Sequence, residues 1–63
     1  MNFRIKPYRK ALNLTQQELA DKSGISRTTI SGLETGLLTV TSTATLERIA
    51  AVLEVSLKDL MED

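Results

Sequence analysis

The sequence predicts an all-α fold, a compact bundle of five short helices, on three observations. Thr15 is followed three residues later by Glu18, a capping box that begins a helix. Apolar residues recur at the helical spacing i, i+3, i+4, i+7 from Leu46 to Leu53. Glycines at positions 24 and 36 follow helical segments, where helices commonly end. With 63 residues, the chain is expected to form one small domain that spans 1–63.

The first two helices are separated by a short connection. Helix 1 is predicted to begin near Pro7, whose fixed φ suits a first helical turn, and to end at Asn13. Helix 2 follows the Thr15 cap and runs to about Lys22. The chain then breaks at Gly24, because glycine takes a positive φ at little cost.

The last three helices each follow a hydroxyl-bearing residue. Helix 3 follows Ser26 and ends at Thr35, one residue before a glycine. Helix 4 begins near position 42 or 43 and carries the apolar stripe. Helix 5 follows Ser56, where Asp59 completes a second sequence similar to a capping box.

Two segments fit a strand as well as they fit a loop. Apolar and polar residues alternate over 1–5 and again over 38–41, so the two segments could pair. We favour a different arrangement, in which Phe3 and Ile5 cover the core and residues 37–41 form an extended loop.

The composition argues against an enzyme. The chain has no cysteine and no histidine, which removes thiolate zinc sites, disulfides and the commonest catalytic base. Paired carboxylates on a shared face and a glycine-rich phosphate loop are also missing from the sequence. We therefore expect no enzymatic activity, no cofactor and no metal. The charged start and the lack of a long apolar run predict a cytoplasmic protein that does not enter a membrane.

The net charge of zero conceals an uneven distribution. Residues 1–30 carry six basic and two acidic side chains, whereas residues 31–63 carry two basic and six acidic ones. A basic half is typical of a protein that binds nucleic acid, since the phosphate backbone attracts cations. The alternative, that both signs are ordinary solvated surface, stays open at this point.

Helix 3 has an outer face of small polar side chains. At ~100° per residue, Ile30 and Leu33 define its buried face. The residues predicted to point away are Thr28, Ser31, Gly32 and Thr35, with Arg27 on the flank. Threonine, serine and glycine form helices poorly but permit close approach to another surface, and the hydroxyl groups offer donors and acceptors.

The spacing of these residues resembles a known family. The segments Leu14-Thr15-Gln16-x-Glu18-Leu19-Ala20, Gly24-Ile25-Ser26 and Ile30-Ser31-x-x-Glu34-x-Gly36 are similar to the helix-turn-helix of the phage repressor/Cro family, also called the XRE family. The pattern from Leu46 to Leu60 resembles that family's last two helices. The resemblance implies a lambda-repressor-like domain, with the helix-turn-helix at 16–35 formed by helices 2 and 3. It also implies a homodimer that binds double-stranded DNA at an operator and represses or activates transcription.

The resemblance implies roles for individual residues. The candidates for contact with DNA bases are Arg27, Thr28, Ser31 and Gly32, and those for contact with phosphates are Gln16, Gln17, Ser26, Thr35 and Thr39. Arg27 either donates two hydrogen bonds to a guanine or holds a phosphate, and both roles stay open. Arg9 and Glu34 match an ion pair that joins helix 1 to the end of helix 3.

The segment after helix 3 departs from the family. Many relatives carry Lys, Arg and Pro there, whereas residues 37–43 of this chain carry no charge. Its apolar residues either pack against the domain or form a dimer interface, and we favour the second. The candidates are Leu37, Leu38, Val40, Val55 and Leu57. A different function is an antitoxin or adaptor that binds another protein through Leu37–Val40.

Overall fold

A computed structural model describes residues 3–61 and confirms the all-α fold. Within these residues the chain forms five helices: α1 Ile5–Ala11, α2 Gln16–Ser23, α3 Arg27–Thr35, α4 Thr43–Leu53 and α5 Leu57–Leu60. Helix α1 begins two residues earlier than predicted. Pro7 therefore occupies the first helical turn, where the missing amide hydrogen has no intrahelical acceptor.

The predicted caps determine where the helices begin. The Thr15 hydroxyl accepts from the amide of Glu18, and the Glu18 carboxylate accepts from the Thr15 amide. The hydroxyl groups of Ser26, Ser42 and Ser56 accept from the amide three residues later in the same way. These bonds satisfy amide hydrogens that have no partner within the helix.

The core lies where α2 meets α3 and α4. Its buried apolar residues come from all five helices and from the segment before α1: Phe3, Ile5, Leu19, Ala20, Ile30, Leu33, Leu46, Ile49, Ala50, Leu53 and Leu60. Helices α2 and α3 both pack here, so the remaining face of α3 points away from the bundle.

The two alternating segments do not pair with each other. Phe3 instead forms an isolated antiparallel bridge with Met61, and the Arg4 amide donates to the Leu60 carbonyl at 2.8 Å. Phe3 and Ile5 are buried in the core, as favoured, and residues 37–42 form an irregular loop. Met1, part of the first alternation, lies outside the described residues. Over 3–61, no helix combines the length and the apolar character needed to cross a membrane.

Candidate nucleic-acid interface

A short turn holds α3 against α2. Gly24 adopts a left-handed conformation with φ 73°, and its amide donates to the Ala20 carbonyl at 2.9 Å. The buried Ser23 hydroxyl donates to the Leu19 carbonyl at 2.7 Å and accepts from the Ile25 amide at 3.3 Å. These hydrogen bonds attach the turn to the last residues of α2.

A hydrogen-bonded network connects three helices at the end of α3. The Arg9 guanidinium donates from Nε to Glu34 Oε2 at 2.7 Å and from Nη2 to Glu34 Oε1 at 3.0 Å. Its Nη1 donates to the Leu14 carbonyl at 2.7 Å. The hydrogen bond to Glu34 raises the pKa of Arg9, while burial opposes it. Gln16 joins the network, because its Nε2 donates to Glu34 Oε1 at 3.2 Å.

The outer face of α3 forms one side of an open groove of about 520 Å³. All four candidates for base contact line this groove, together with Gln16 at the beginning of α2. They are Arg27, Thr28, Ser31 and Gly32. Leu37 and Leu38 from the loop after α3 complete the lining. The groove thus combines hydrogen-bonding side chains, one cation and an apolar wall.

The predicted exposure of Gly32 is wrong. Arg27 and Thr28 are exposed and Ser31 is half-buried, but Gly32 is buried although it lies on the outer face. Leu38 folds back over it, and a Cβ added at Gly32 would lie 2.8 Å from Leu38 Cγ and 2.9 Å from Leu38 Cδ1. The helical period predicts the direction in which a residue points, but it does not predict that a loop folds back over that residue.

The other phosphate candidates lie outside the lining of this groove. Gln17 is exposed and donates to Asp21 Oδ1 at 2.9 Å. The Ser26 hydroxyl caps α3, and the Thr35 hydroxyl donates to the Gly32 carbonyl at 3.3 Å. Thr39 is exposed on the loop. Each of these side chains is at or near the surface, where a phosphate could reach it.

The five dimer candidates fall into different environments. Leu37 and Val40 are 86% and 85% exposed, whereas Leu38 is 40% exposed and packs on α3. Val55 and Leu57 are half-buried and pack against the core.

Sequence reasoning missed that Leu37 and Leu38 line the same groove as α3. The one signal for this was Gly36, whose left-handed φ of 86° reverses the chain after the helix.

Comparison with known proteins identifies similar chains. A family model described as helix-turn-helix matches residues 5–60. The HTH-type transcriptional regulator SinR of Bacillus subtilis is 40% identical over 60 residues, which are 95% of this chain and 54% of SinR. The chain therefore spans about half the length of the curated SinR proteins that it matches.

Solved structures agree with this similarity. SinR, described as the master regulator for biofilm formation and solved in complex with DNA, is 41% identical, with a TM-score of 0.90 over 94% of each chain. A structure of SinR in complex with the SinI protein is 40% identical and has a TM-score of 0.90, over 95% of this chain and 58% of that one. The restriction-modification controller C.AhdI from Aeromonas hydrophila is 31% identical, with a TM-score of 0.84, over 92% of this chain and 86% of that one.

Proposed function

The chain belongs to the helix-turn-helix family of DNA-binding transcriptional regulators, a non-enzymatic family, and from this premise we propose how it binds DNA. Helix α3 enters the major groove of double-stranded DNA and reads base edges. The protein acts as a homodimer on a pseudo-palindromic operator, so that two copies of α3 occupy successive major grooves ~34 Å apart.

One observation carries this proposal: α3 is anchored on one face and open on the other. Ile30 and Leu33 are buried in the core, while Arg27 and Thr28 are exposed beside the groove. A helix about 10–12 Å in diameter fits the major groove, which is about 12 Å wide. Short hydroxyl side chains allow the helix backbone to approach the base edges closely.

Arg27 is the main candidate for direct readout. It lies at the first position of α3, is exposed and lines the groove, and its side chain is longer than those of Thr28 and Ser31. A guanidinium that donates two hydrogen bonds to guanine O6 and N7 discriminates against other bases by about 1–3 kcal/mol. Thr28 would donate to a base-edge acceptor or contact a thymine methyl, and Ser31 would supply a further donor.

Gln16 is the best-supported phosphate contact. Its amide nitrogen carries two hydrogens, and Glu34 accepts one of them. The second hydrogen is available to a phosphate oxygen, as are the backbone amides of Gln16 and Gln17, which the capping box does not use. Gln17, Ser26, Thr35 and Thr39 would add neutral contacts to the backbone, which position the duplex without reading its sequence.

Self-association would use the exposed apolar side chains of the loop that follows α3. Val40 is the strongest candidate, because it is 85% exposed and does not line the groove. A second copy would cover this surface and would present a second α3 to the DNA.

A second candidate function is binding of another protein through Leu37–Val40. The exposure of Leu37 and Val40 supports it, and SinR has been solved in complex with the protein SinI. In this case a heterologous partner would occupy the loop, and DNA contact would be secondary.

Selection of bound duplexes from a random DNA library tests the main proposal. We expect a symmetric consensus with half-sites one helical turn apart, or a multiple of it. Arg27→Ala should abolish the preference at one position of each half-site, whereas Lys58→Ala, which removes an exposed cation on α5, should leave the consensus unchanged. A loss of affinity for Arg27→Ala that is equal for all sequences would assign Arg27 to a phosphate. No enriched duplex would refute sequence-specific binding and favour the partner protein.

A further inference from the structure

Two leucines form an apolar wall beside the polar face of α3. The Leu38 side chain lies against Gly32, and the Leu38 amide donates to the Gly32 carbonyl at 2.9 Å. These contacts attach the loop to the middle of α3. Leu37, the preceding residue, lines the same groove and keeps 86% of its surface exposed. It is therefore held beside the base-contact candidates without being buried in the core.

The groove places the apolar side chain of Leu37 beside side chains that form hydrogen bonds. Arg27, Thr28 and Ser31 offer hydrogen bonds on the same surface. A leucine pressed against a polar base edge would remove water from that edge without replacing its hydrogen bond, which costs free energy. In the major groove the edges of the four bases present acceptors and amino donors, and the apolar group among them is the thymine 5-methyl.

We infer that Leu37 is a specificity-determining residue that contacts the 5-methyl group of a thymine in the bound duplex. Leu38 is a positioning residue, which holds the loop against Gly32 so that Leu37 stays at the groove. The inference rests on the proposed function, because it requires α3 to lie in the major groove. In this arrangement the polar side chains of α3 read donors and acceptors, and the loop reads a methyl group.

The test removes this methyl group without changing anything else in the base. Duplexes selected by the wild-type protein are resynthesised with deoxyuridine in place of one thymidine at a time. The dissociation constant for each uracil duplex is divided by that for the thymine duplex. This ratio is measured for the wild type, for Leu37→Ala and for the control Val40→Ala. Val40 lies on the same loop with matching exposure but is not part of the groove lining.

A contact with a methyl group gives a specific pattern of ratios. For the wild type we expect a ratio of about four at one thymine of each half-site, the effect of burying one methyl-sized group. In Leu37→Ala the ratio at this thymine should fall to about one, while Val40→Ala should keep the wild-type ratio. The ratio is measured on a duplex that carries a single half-site, to which one protomer binds, so that a change in dimerisation does not enter it. Melting temperatures should stay close to the wild type, because Leu37 is exposed.

Other results would overturn the inference. A ratio of about one at every thymine means that no methyl group is read. A sensitive thymine whose ratio is unchanged in Leu37→Ala means that another residue reads it. Weaker self-association of Leu37→Ala, with unaltered ratios, would assign the leucine to a dimer contact. In these cases the wild type still selects a duplex, so the proposed function stands. Failure to select any duplex would defeat both.

Discussion

Removal of the Glu34 carboxylate should destabilise the domain strongly. Glu34 accepts three hydrogen bonds, two from Arg9 at 2.7 and 3.0 Å and one from Gln16 at 3.2 Å. The Arg9 and Glu34 side chains are 9% and 3% exposed, so solvent screens their attraction little. In Glu34→Ala the guanidinium stays in place and loses its counter-charge.

The magnitude follows from this burial. Breaking a buried ion pair by removing one partner costs about 3–5 kcal/mol, most of it for the charge that is left behind. Arg9 keeps its hydrogen bond to the Leu14 carbonyl, so we expect the lower end, about 3 kcal/mol. In a domain of this size each kcal/mol lowers the melting temperature by about 4–8 °C, which predicts a decrease of about 12–24 °C.

Thermal and urea unfolding, followed by far-ultraviolet circular dichroism, measure the effect. Glu47→Ala is the matched control, since it removes an exposed carboxylate from α4. Arg9→Met, Glu34→Leu and the double variant Arg9→Met/Glu34→Leu form a separate mutant cycle. The double variant should lose less than the sum of the two single changes, because it leaves no unpaired buried charge. A Glu34→Ala protein that melts with the Glu47→Ala control, or losses that simply add, would refute the argument.

Three further predictions concern the loop and the caps. Gly32→Ala should lower the free energy of unfolding in urea by about 1 kcal/mol, because the new Cβ collides with Leu38. In a Leu38→Ala background, which removes the colliding atoms, the same change should raise the free energy of unfolding by about 1 kcal/mol, and a gain in both backgrounds contradicts this. Val40→Asp should raise the dimer dissociation constant at least tenfold in sedimentation equilibrium, and an unchanged constant removes Val40 from the interface. Hydrogen bonds from the backbone and side chain of Thr15 lower the pKa of Glu18, and those from Ser56 lower the pKa of Asp59. The stability that these two carboxylates add is therefore present above their unfolded pKa values and is lost as the pH falls through their folded pKa values. Melting temperatures should therefore decrease on acidification toward about pH 3, with a shallower slope in Glu18→Gln; the same slope in both proteins would count against a role for this carboxylate.

The resemblance and the helical period anticipated much of the candidate site. The four base-contact candidates line one groove, and Arg9 and Glu34 lie within hydrogen-bonding distance. The bond from Gln16 to Glu34 was not anticipated, although it joins the beginning of α2 to the end of α3. Two residues eighteen positions apart have no local signal that relates them, and the packing of the helices brings them together.

The sequence alone determined the helices and their order, because the signals involved act over three or four residues. Ser26 begins α3 through a hydrogen bond within its own segment, and Gly24 ends α2 in the same local way. The helical spacing of the apolar residues on α4 is likewise a property of that segment alone. Only the tertiary structure decided which outward positions remain accessible. Leu38 covers Gly32, and Phe3 pairs with Met61 rather than with the loop. Such contacts depend on the path of the chain between elements, where burial selects among arrangements that local propensities leave equivalent.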